Sequence, residues 1–272
     1  MKKLKNIKIA FIDIDGTLSN SKKEVTKETI ESIKYATKHG MYVVLCSGRT
    51  NSYVCEISKK IHASSFVISC NGAETYNYET NQNVFDNKIA IDDINTIWKY
   101  CQTNNIGCIL NTQDQRYCNE AIYDNYSNKI LLKGIQSFNI DTYQIVTGQK
   151  NYDKMSQLEK FIGENNNLKI TNASSAYIEK IQNGNHYFFD ITNKNVNKGI
   201  AIKQLLEYLK LGKENAIGFG DHINDHDLFE SVGFKIAMAN ANPKLKEQAD
   251  FITLSNDENG VAHFLNNFID YN

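Results

Sequence analysis

Two acidic clusters in the sequence could do chemistry, and the first lies near the amino terminus. Asp13 and Asp15 end the apolar run 7–13, where like charges repel each other unless a cation or a function requires them. An EF-hand calcium loop does not fit, because Thr17 occupies the third ligand position and Leu18 the position of the required glycine. A polar turn that caps a strand is the alternative interpretation. The placement of both acids at the end of so apolar a run favours a bound cation or a catalytic role.

The second cluster directly follows the apolar run 216–219 and contains four side chains that offer oxygen ligands. They are Asp221, Asn224, Asp225 and Asp227. Capping a helix and favouring its dipole needs only one acid, so this density indicates a divalent cation with oxygen ligands. His222 and His226 are four residues apart and could form a zinc pair on one helix face. No third nitrogen or sulfur ligand stands at a recognisable spacing from them, which disfavours zinc.

Two further segments offer groups that suit a phosphate. Ser47, Gly48 and Arg49 follow the apolar run 41–46 and provide a hydroxyl and backbone N–H groups for a phosphoryl oxygen. Lys198 opens a predicted helix, and its ammonium can act as a point charge for a phosphate. Serines and lysines are common on protein surfaces, so these residues are informative only through their position.

The elements around these segments predict a parallel sheet. In the first part of the chain, strands at 7–13, 41–46 and 66–70 alternate with helices at 26–40 and 50–61. The pattern resumes with a helix from 198 to about 212, strands at about 216–219, 234–238 and 250–253, and a final helix from about 258. Strands that are apolar throughout indicate a sheet covered on both faces. Since ligands bind at the carboxyl ends of such strands, we expect the four segments to converge on one edge.

The middle of the chain has a different pattern. Its apolar runs are shorter and more alternating, at 144–146, 177–181 and 186–189, with two helical stretches near 92–104 and 152–163. This pattern predicts an inserted α+β domain with an antiparallel sheet. The predicted fold class is therefore α/β, with a Rossmann-like parallel sheet and helices on both faces in a discontinuous core. We expect residues 1–83 and 190–272 to form the core and residues 84–189 to form the insertion.

Composition narrows the function classes. The 272 residues include 30 basic and 31 acidic side chains, so the formal charge of −1 provides no broad basic face for nucleic acid or an anionic membrane. The apolar stretch near the amino terminus is interrupted by Asp13 and Asp15, which does not fit a signal peptide. The six cysteines form no C-x-x-C pair, as expected for reduced, buried thiols. We therefore expect a cytoplasmic protein, and no sequence feature indicates an obligate protein partner.

The motifs, taken together, resemble those of the haloacid dehalogenase-like superfamily. They are Asp13-Ile-Asp-Gly-Thr-Leu, Ser47-Gly-Arg, Asn71-Gly-Ala, Lys198-Gly and Gly220-Asp-x-x-Asn-Asp, in that order. The chain is most similar to the Cof-type branch, whose large α/β cap is inserted between the second and third motifs, and the similarity covers nearly the whole chain. One departure is Ala239, where that branch usually has glycine, and it concerns the turn at Asn240.

The resemblance implies a role for each motif residue. Asp13 would be the nucleophile that forms an aspartyl-phosphate, and Asp15 would protonate the leaving group and then deprotonate water. Magnesium would be held by Asp13, the backbone carbonyl of Asp15, Asp221 and Asp225. The transferring phosphoryl group would be held by Lys198, Ser47, Asn224 and the backbones of Ile14 and Gly48. Arg49 would either reach the substrate phosphate or pair with an acid on a neighbouring loop.

The implied function is that of a magnesium-dependent phosphatase. The expected substrate is a small phosphorylated metabolite, with a sugar phosphate favoured. A phosphomutase using the same aspartyl-phosphate is one alternative, and it would depend on a bisphosphate activator. A non-catalytic protein that binds phosphosugars is another, but binding alone does not require the Asp13 and Asp15 pair. The substrate itself, and the cap residues that contact it, are not predicted by the sequence.

Overall fold

A computed structural model describes residues 2–122, 129–134, 137, 139–172, 178–181 and 184–271, and the side chains among 171–186 are not described. The described strands are β1 (Ile9–Ile12), β2 (Tyr42–Cys46), β3 (Phe66–Ser69), β4 (Glu74–Asn77), β5 (Gln82–Asp86), β6 (Gly107–Asn111), β7 (Arg116–Cys118), β8 (Ile130–Leu131), β9 (Gln144–Gln149), β10 (Leu168–Asn172), β11 (Ile178–Ile181), β12 (Gly184–Asn193), β13 (Ala216–Gly220), β14 (Phe234–Ala237) and β15 (Phe251–Ile252). The helices are α1 (Lys27–Lys38), α2 (Asn51–Lys60), α3 (Ile91–Thr103), α4 (Tyr152–Gly163), α5 (Lys198–Tyr208), α6 (His226–Glu230), α7 (Pro243–Lys246) and α8 (Gly260–Phe268).

The chain forms two compact units. The first contains Met1–Phe85 and Asn197–Asn272, and the second contains Asp86–Val196. The predicted boundary at 189/190 falls inside a strand, because β12 continues to Asn193. The predicted boundary at 83/84 likewise falls inside β5.

The first unit is built on an eight-stranded sheet in the order β15-β14-β13-β1-β2-β3-β4-β5. Strands β15 to β3 in this order are parallel, and β4 pairs antiparallel with β3. Successive side chains of a strand point to opposite faces, and all four side chains of β1 are completely buried. Both faces of the central sheet are therefore covered, which confirms the predicted α/β fold class.

Local sequence explains where the helices of this unit begin. The side chain of Thr26 caps α1 by accepting a hydrogen bond from the backbone N–H of Thr29 at 3.2 Å. The side chain of Asn197 caps α5 in the same way, with Ile200 as the donor at 2.7 Å. The Asn197 cap fixes the start of α5 and so places the next residue, Lys198, at the first helical position.

The second unit has a sheet in the order β10-β12-β9-β6-β7-β8, with β11 paired to β12. Its described pairs are antiparallel except β7 with β8. Helices α3 and α4 contribute Trp98, Met155 and Leu158 to its core. The predicted run 177–181 corresponds to β11, while Tyr177 itself lies outside the described residues. None of the helices in the described part of the chain is long and apolar enough to span a membrane.

Candidate active site

Three adjacent strands of the first sheet bring the sequence motifs to one edge. Because β1 lies between β13 and β2, the carboxyl ends of these three parallel strands are neighbours. Asp13 directly follows β1, and its backbone N–H donates to the carbonyl of Phe219 in β13 at 3.2 Å. Asp221 follows β13, and Ser47 follows β2. The fold therefore places residues that are about 200 positions apart in the chain on the same edge.

Three carboxylates meet at this edge. Asp13, Asp221 and Asp225 each offer an oxygen, and these oxygens all lie within 4.8 Å of one another. Asp225 is completely buried and Asp13 is 7 % exposed, so these two charges are shielded from water. Oδ2 of Asp225 also accepts hydrogen bonds from the backbone N–H groups of Asp221 and His222, which fixes the loop around the cluster.

Lys198 provides the positive charge inside this cluster. Its Nζ lies 2.5 Å from Oδ1 of Asp13 and 2.7 Å from Oδ1 of Asp225, and only 2 % of its side chain is exposed. A cation at the first position of a helix opposes the helix dipole. The two carboxylates compensate for this cost, so Lys198 is held where it bridges the strand that carries Asp13 and the loop that carries Asp225.

Burial, together with the crowding of charges, shifts the pKa values of the cluster. Burial raises the pKa of Asp13 to about 8, with Asp225 and Asp221 adding to the rise and Lys198 opposing it. Burial and Asp225 raise the pKa of Asp221 to about 6, while the hydrogen bond from Thr17 opposes this. Burial alone would lower the pKa of Lys198, but its two carboxylate partners raise it well above its ordinary value. The cluster thus contains more acid than one ammonium can balance.

The turn after Asp15 is shaped around Asp221. Gly16 has a φ of +81°, and a Cβ built on it would lie only 2.3 Å from Oδ2 of Asp221. Both facts require glycine at this position. The next residue, Thr17, donates from Oγ1 to Oδ1 of Asp221 at 2.9 Å. Thr17 was not predicted to belong to the site, although its place in the first motif, two residues after Asp15, was a usable signal.

Asp15 and Arg49 form a separate ion pair. The guanidinium donates from Nε and Nη2 to the two carboxylate oxygens of Asp15, each at 2.8 Å. These side chains are 41 % and 35 % exposed, in contrast to the buried Lys198. Of the two roles left open for Arg49, the structure shows the pairing with an acid. The carboxylate of Asp15 lies outside the three-acid cluster, and its predicted contact with a cation was through the backbone carbonyl.

The predicted phosphate-binding residues occupy different environments. Ser47 is 2 % exposed, and its Oγ accepts from the backbone N–H of Arg49 at 3.2 Å. A Cβ on Gly48 would lie 2.8 Å from Oδ1 of Asn71, so the Ser47-Gly-Arg motif is in contact with the Asn71-Gly-Ala motif. Ile14 is completely buried, whereas Asn224 is exposed in the turn that precedes α6.

The zinc alternative has no support from the described residues. His222 and His226 are both exposed, and the Nδ1 of His226 lies 2.6 Å from Oε1 of Gln248. Within the described residues, the metal-compatible cluster at this edge consists of carboxylates without a histidine.

Asn240 contacts the loop of the first motif. Its Nδ2 donates to the carbonyl of Gly16 at 2.8 Å. Ala239, the departure from the usual glycine, has no left-handed φ, so alanine fits this turn without strain. The contact between Asn240 and Gly16 was not predicted from the sequence.

Comparisons with known proteins place the chain in a family. The family model of haloacid dehalogenase-like hydrolases matches residues 10–265. The protein named 5-amino-6-(5-phospho-D-ribitylamino)uracil phosphatase YcsE, from Bacillus subtilis (strain 168), is 29 % identical over 265 residues, which cover 97 % of this chain and 96 % of that protein. Phosphatase YwpJ from the same organism is 26 % identical over 290 residues, which cover 97 % of this chain and 100 % of that protein.

Solved structures agree with this placement. A haloacid dehalogenase-like hydrolase from B. subtilis has a TM-score of 0.79 and 25 % identity, covering 97 % of this chain and 100 % of that chain. A haloacid dehalogenase-like hydrolase from Bacteroides thetaiotaomicron has a TM-score of 0.81 at 22 % identity and covers 96 % of this chain and 98 % of that chain, which shows a shared fold. The chain therefore belongs to the haloacid dehalogenase-like hydrolase family, as a phosphatase of the Cof type.

Proposed function

We propose that this phosphatase is a magnesium-dependent phosphomonoester hydrolase that works through an aspartyl-phosphate on Asp13. The observation that carries the proposal is the convergence of Asp13, Asp221 and Asp225 around Lys198. YcsE, by its name, acts on a phosphorylated ribityl compound, which supports a small phosphorylated sugar or polyol as the substrate class. We further propose that the second unit is the cap that selects among such substrates.

The residues of the cluster fit a magnesium ion. Mg²⁺ prefers oxygen ligands, and three carboxylate oxygens lie within 4.8 Å of one another here. Burial, with the neighbouring carboxylates adding to it, raises the pKa values of Asp13 and Asp221, and a bound divalent cation would favour the ionised form of both acids. Asp13, Asp221, Asp225 and the backbone carbonyl of Asp15 would hold the ion. When bound, it would offset the repulsion between the carboxylate of Asp13 and a phosphate dianion.

In the first step, a carboxylate oxygen of Asp13 forms a bond to phosphorus while the bond from phosphorus to the leaving oxygen breaks. Asp15 donates a proton to that leaving oxygen, which departs as an alcohol. Lys198, Ser47 and Asn224 hold the oxygens of the phosphoryl group as its charge redistributes, together with the backbone N–H groups of Ile14 and Gly48.

In the second step, water attacks the phosphorus of the aspartyl-phosphate. Asp15, now ionised, takes a proton from that water, and the bond between phosphorus and Asp13 breaks to release inorganic phosphate. Asp15 is 35 % exposed in its side chain, so it can exchange protons with solvent between turnovers. The burial of Asp13 keeps other water away from the phosphorylated residue.

The proposal is tested by phosphate release from p-nitrophenyl phosphate and a panel of sugar phosphates. Purified protein with Mg²⁺ should release phosphate, and EDTA should abolish the activity. Asp13→Asn should lower kcat by at least about 10³-fold, because the amide is not a competent nucleophile. The exposed Asp153→Asn serves as the matched control and should retain full activity. Wild-type turnover in Asp13→Asn would show that the nucleophile is a different residue.

The same assay separates the two alternatives. A phosphomutase would convert one sugar phosphate to its isomer and would need a bisphosphate activator, with little free phosphate formed. A non-catalytic binding protein would bind sugar phosphates without any turnover in Mg²⁺.

A further inference from the structure

Two asparagines from separate carboxyl-terminal loops hold the turn that follows Asp15. Asn240 donates from Nδ2 to the carbonyl of Gly16 at 2.8 Å. Asn256 donates from Nδ2 to the carbonyl of Ser19 at 2.9 Å. Asn256 also donates from its backbone N–H to Oδ1 of Asn240 at 3.0 Å. We name this pair of residues the asparagine clasp. Both ends of the turn 16–19 are bound by it.

The orientation of the Asn240 amide is determined by its partners. The carbonyl of Gly16 can only accept, and the backbone N–H of Asn256 can only donate. Nδ2 must therefore face Gly16 and Oδ1 must face Asn256. Asn240 is an exposed residue, so packing does not explain its position. Its side chain instead uses both of its polar groups to hold main-chain atoms of two other loops.

The segment that carries Asn240 also holds the second acidic loop. The backbone N–H of Met238 donates to the carbonyl of Gly220 at 3.1 Å, and that of Asn242 donates to the carbonyl of Asp221 at 2.8 Å. One short segment, 238–242, is thus bonded to both loops whose acids must meet around a cation. Its bonds to the Asp221 loop come from the backbone, whereas its bond to Gly16 comes from the side chain of Asn240.

The hydrogen bond from Asn240 to Gly16 is close to both Asp15 and Asp221. Gly16 lies between Asp15 and Thr17, and Thr17 donates to Asp221 at 2.9 Å. The close approach of Gly16 to the carboxylate of Asp221 leaves no room for even a Cβ. A shift of the Gly16 carbonyl would therefore move the backbone of Asp15 and the hydrogen bond that orients Asp221.

We propose that Asn240 is a positioning residue for the cation site. Asn256 fixes the orientation of the Asn240 side chain through its backbone N–H. This inference rests on the proposed binding of Mg²⁺ by the acids beside it. Asn240 sets the separation between the Asp15 turn and the Asp221 loop, and so determines how well both bind one ion. Outer contacts of this kind act on metal affinity through the ligands that they orient.

Calorimetric titration of the full-length protein with Mg²⁺ alone tests the proposal. Asn240→Ala should raise the dissociation constant for Mg²⁺ by about 10-fold, the low end of the effect of outer-shell partners. The kcat for p-nitrophenyl phosphate should largely recover as the Mg²⁺ concentration is raised. Asn240→Asp keeps the acceptor for Asn256 but loses the donor to Gly16, so it should also weaken Mg²⁺ binding despite its added negative charge.

The matched control is Asn259→Gly. The described hydrogen bonds of the Asn259 side chain are to Thr26 and Glu28 and not to the turn 16–19, and its φ of +61° is readily adopted by glycine. This variant should bind Mg²⁺ within twofold of wild type even if its melting temperature falls. Equal Mg²⁺ affinity in wild type, Asn240→Ala and Asn240→Asp would overturn the inference. Failure of the wild-type protein to bind Mg²⁺ would instead overturn the proposed function.

Discussion

Asp13 and Asp15 are two residues apart, yet each is paired with a cation in a different environment. The pair of Asp13 and Lys198 is buried, with side chains 10 % and 2 % exposed. The pair of Asp15 and Arg49 is open to solvent, with side chains 35 % and 41 % exposed. A nucleophile must be fixed and kept from water, whereas a group that exchanges protons must be reachable by it. The two environments match the two proposed roles.

The difference in burial between the two ion pairs also predicts which variants should lower stability and which should lower activity alone. Removing one partner of a buried ion pair leaves an uncompensated charge in a dry site, whereas an exposed pair contributes little to folding. The buried side of the site should therefore affect both activity and folding. The exposed side should affect activity alone.

On the exposed side of the site, the largest effect on turnover is expected from Asp15→Asn. The kcat for a sugar phosphate should fall by about 10³-fold, because the alkoxide leaves unprotonated and the attacking water lacks a base. p-Nitrophenolate is a good leaving group that does not need a proton, so the loss of kcat/KM with p-nitrophenyl phosphate should be smaller than with a sugar phosphate. Steady-state kinetics with both substrates measure this ratio, which excludes the shared hydrolysis of the aspartyl-phosphate, and equal losses of kcat/KM would contradict a role as general acid.

Lys198→Met should cause the largest loss of stability. The carboxylates of Asp13 and Asp225 would remain buried without their ammonium, so the free energy of unfolding should fall by about 3–5 kcal/mol. Glu230→Gln removes one partner of the more exposed pair with Lys235 and should cost less than about 1 kcal/mol. Urea unfolding of both variants without metal checks the contrast, and similar losses would refute it.

Arg49→Lys should affect catalysis but not folding. A lysine provides one point charge and does not reproduce the two parallel hydrogen bonds to Asp15. We expect kcat/KM for a sugar phosphate to fall by about 10-fold with an unchanged midpoint of urea unfolding. A variant with full activity would show that the orientation of Asp15 does not depend on Arg49.

The stability of the metal-free protein should also depend on pH. The pKa values of Asp13 and Asp221, about 8 and about 6, lie above the ordinary value of 3.8. Protonation therefore favours the folded state, and this contribution is fully present below about pH 4 and lost as pH rises through 6 and then 8. The melting temperature should fall across that range in EDTA and fall less in Mg²⁺. Asp13→Asn should lack the upper part of the decline, and an identical profile would contradict the assignment.

Much of the core and the site was predictable from local sequence. Apolar strands such as β1 and β13 imply a parallel sheet with covered faces, and the acids at their ends then share an edge. The addition of β4, antiparallel to β3, was not predicted, because β4 contains the buried polar residues Glu74, Thr75 and Asn77 and has no apolar run. Tertiary contacts override the local pattern there.

Contacts made by exposed polar side chains were not predictable. Arg49 had two equally reasonable partners, and only the folded chain shows that it pairs with Asp15. The bond from Asn240 to Gly16 joins residues 224 positions apart, and an exposed asparagine carries no periodic signal. The second unit shows the same limit, since its alternating strands predict a sheet but not the substrate.

Trapping of the phosphorylated enzyme tests the central claim most directly. Protein and Mg²⁺ are mixed with a sugar phosphate or p-nitrophenyl phosphate, quenched in acid within the first turnover, and reduced with borohydride before peptide mass spectrometry. An aspartyl-phosphate on Asp13 predicts homoserine at position 13 in wild type and none in Asp13→Asn. Release of a full equivalent of phosphate with position 13 unmodified throughout, or with the label on another residue, would contradict the account.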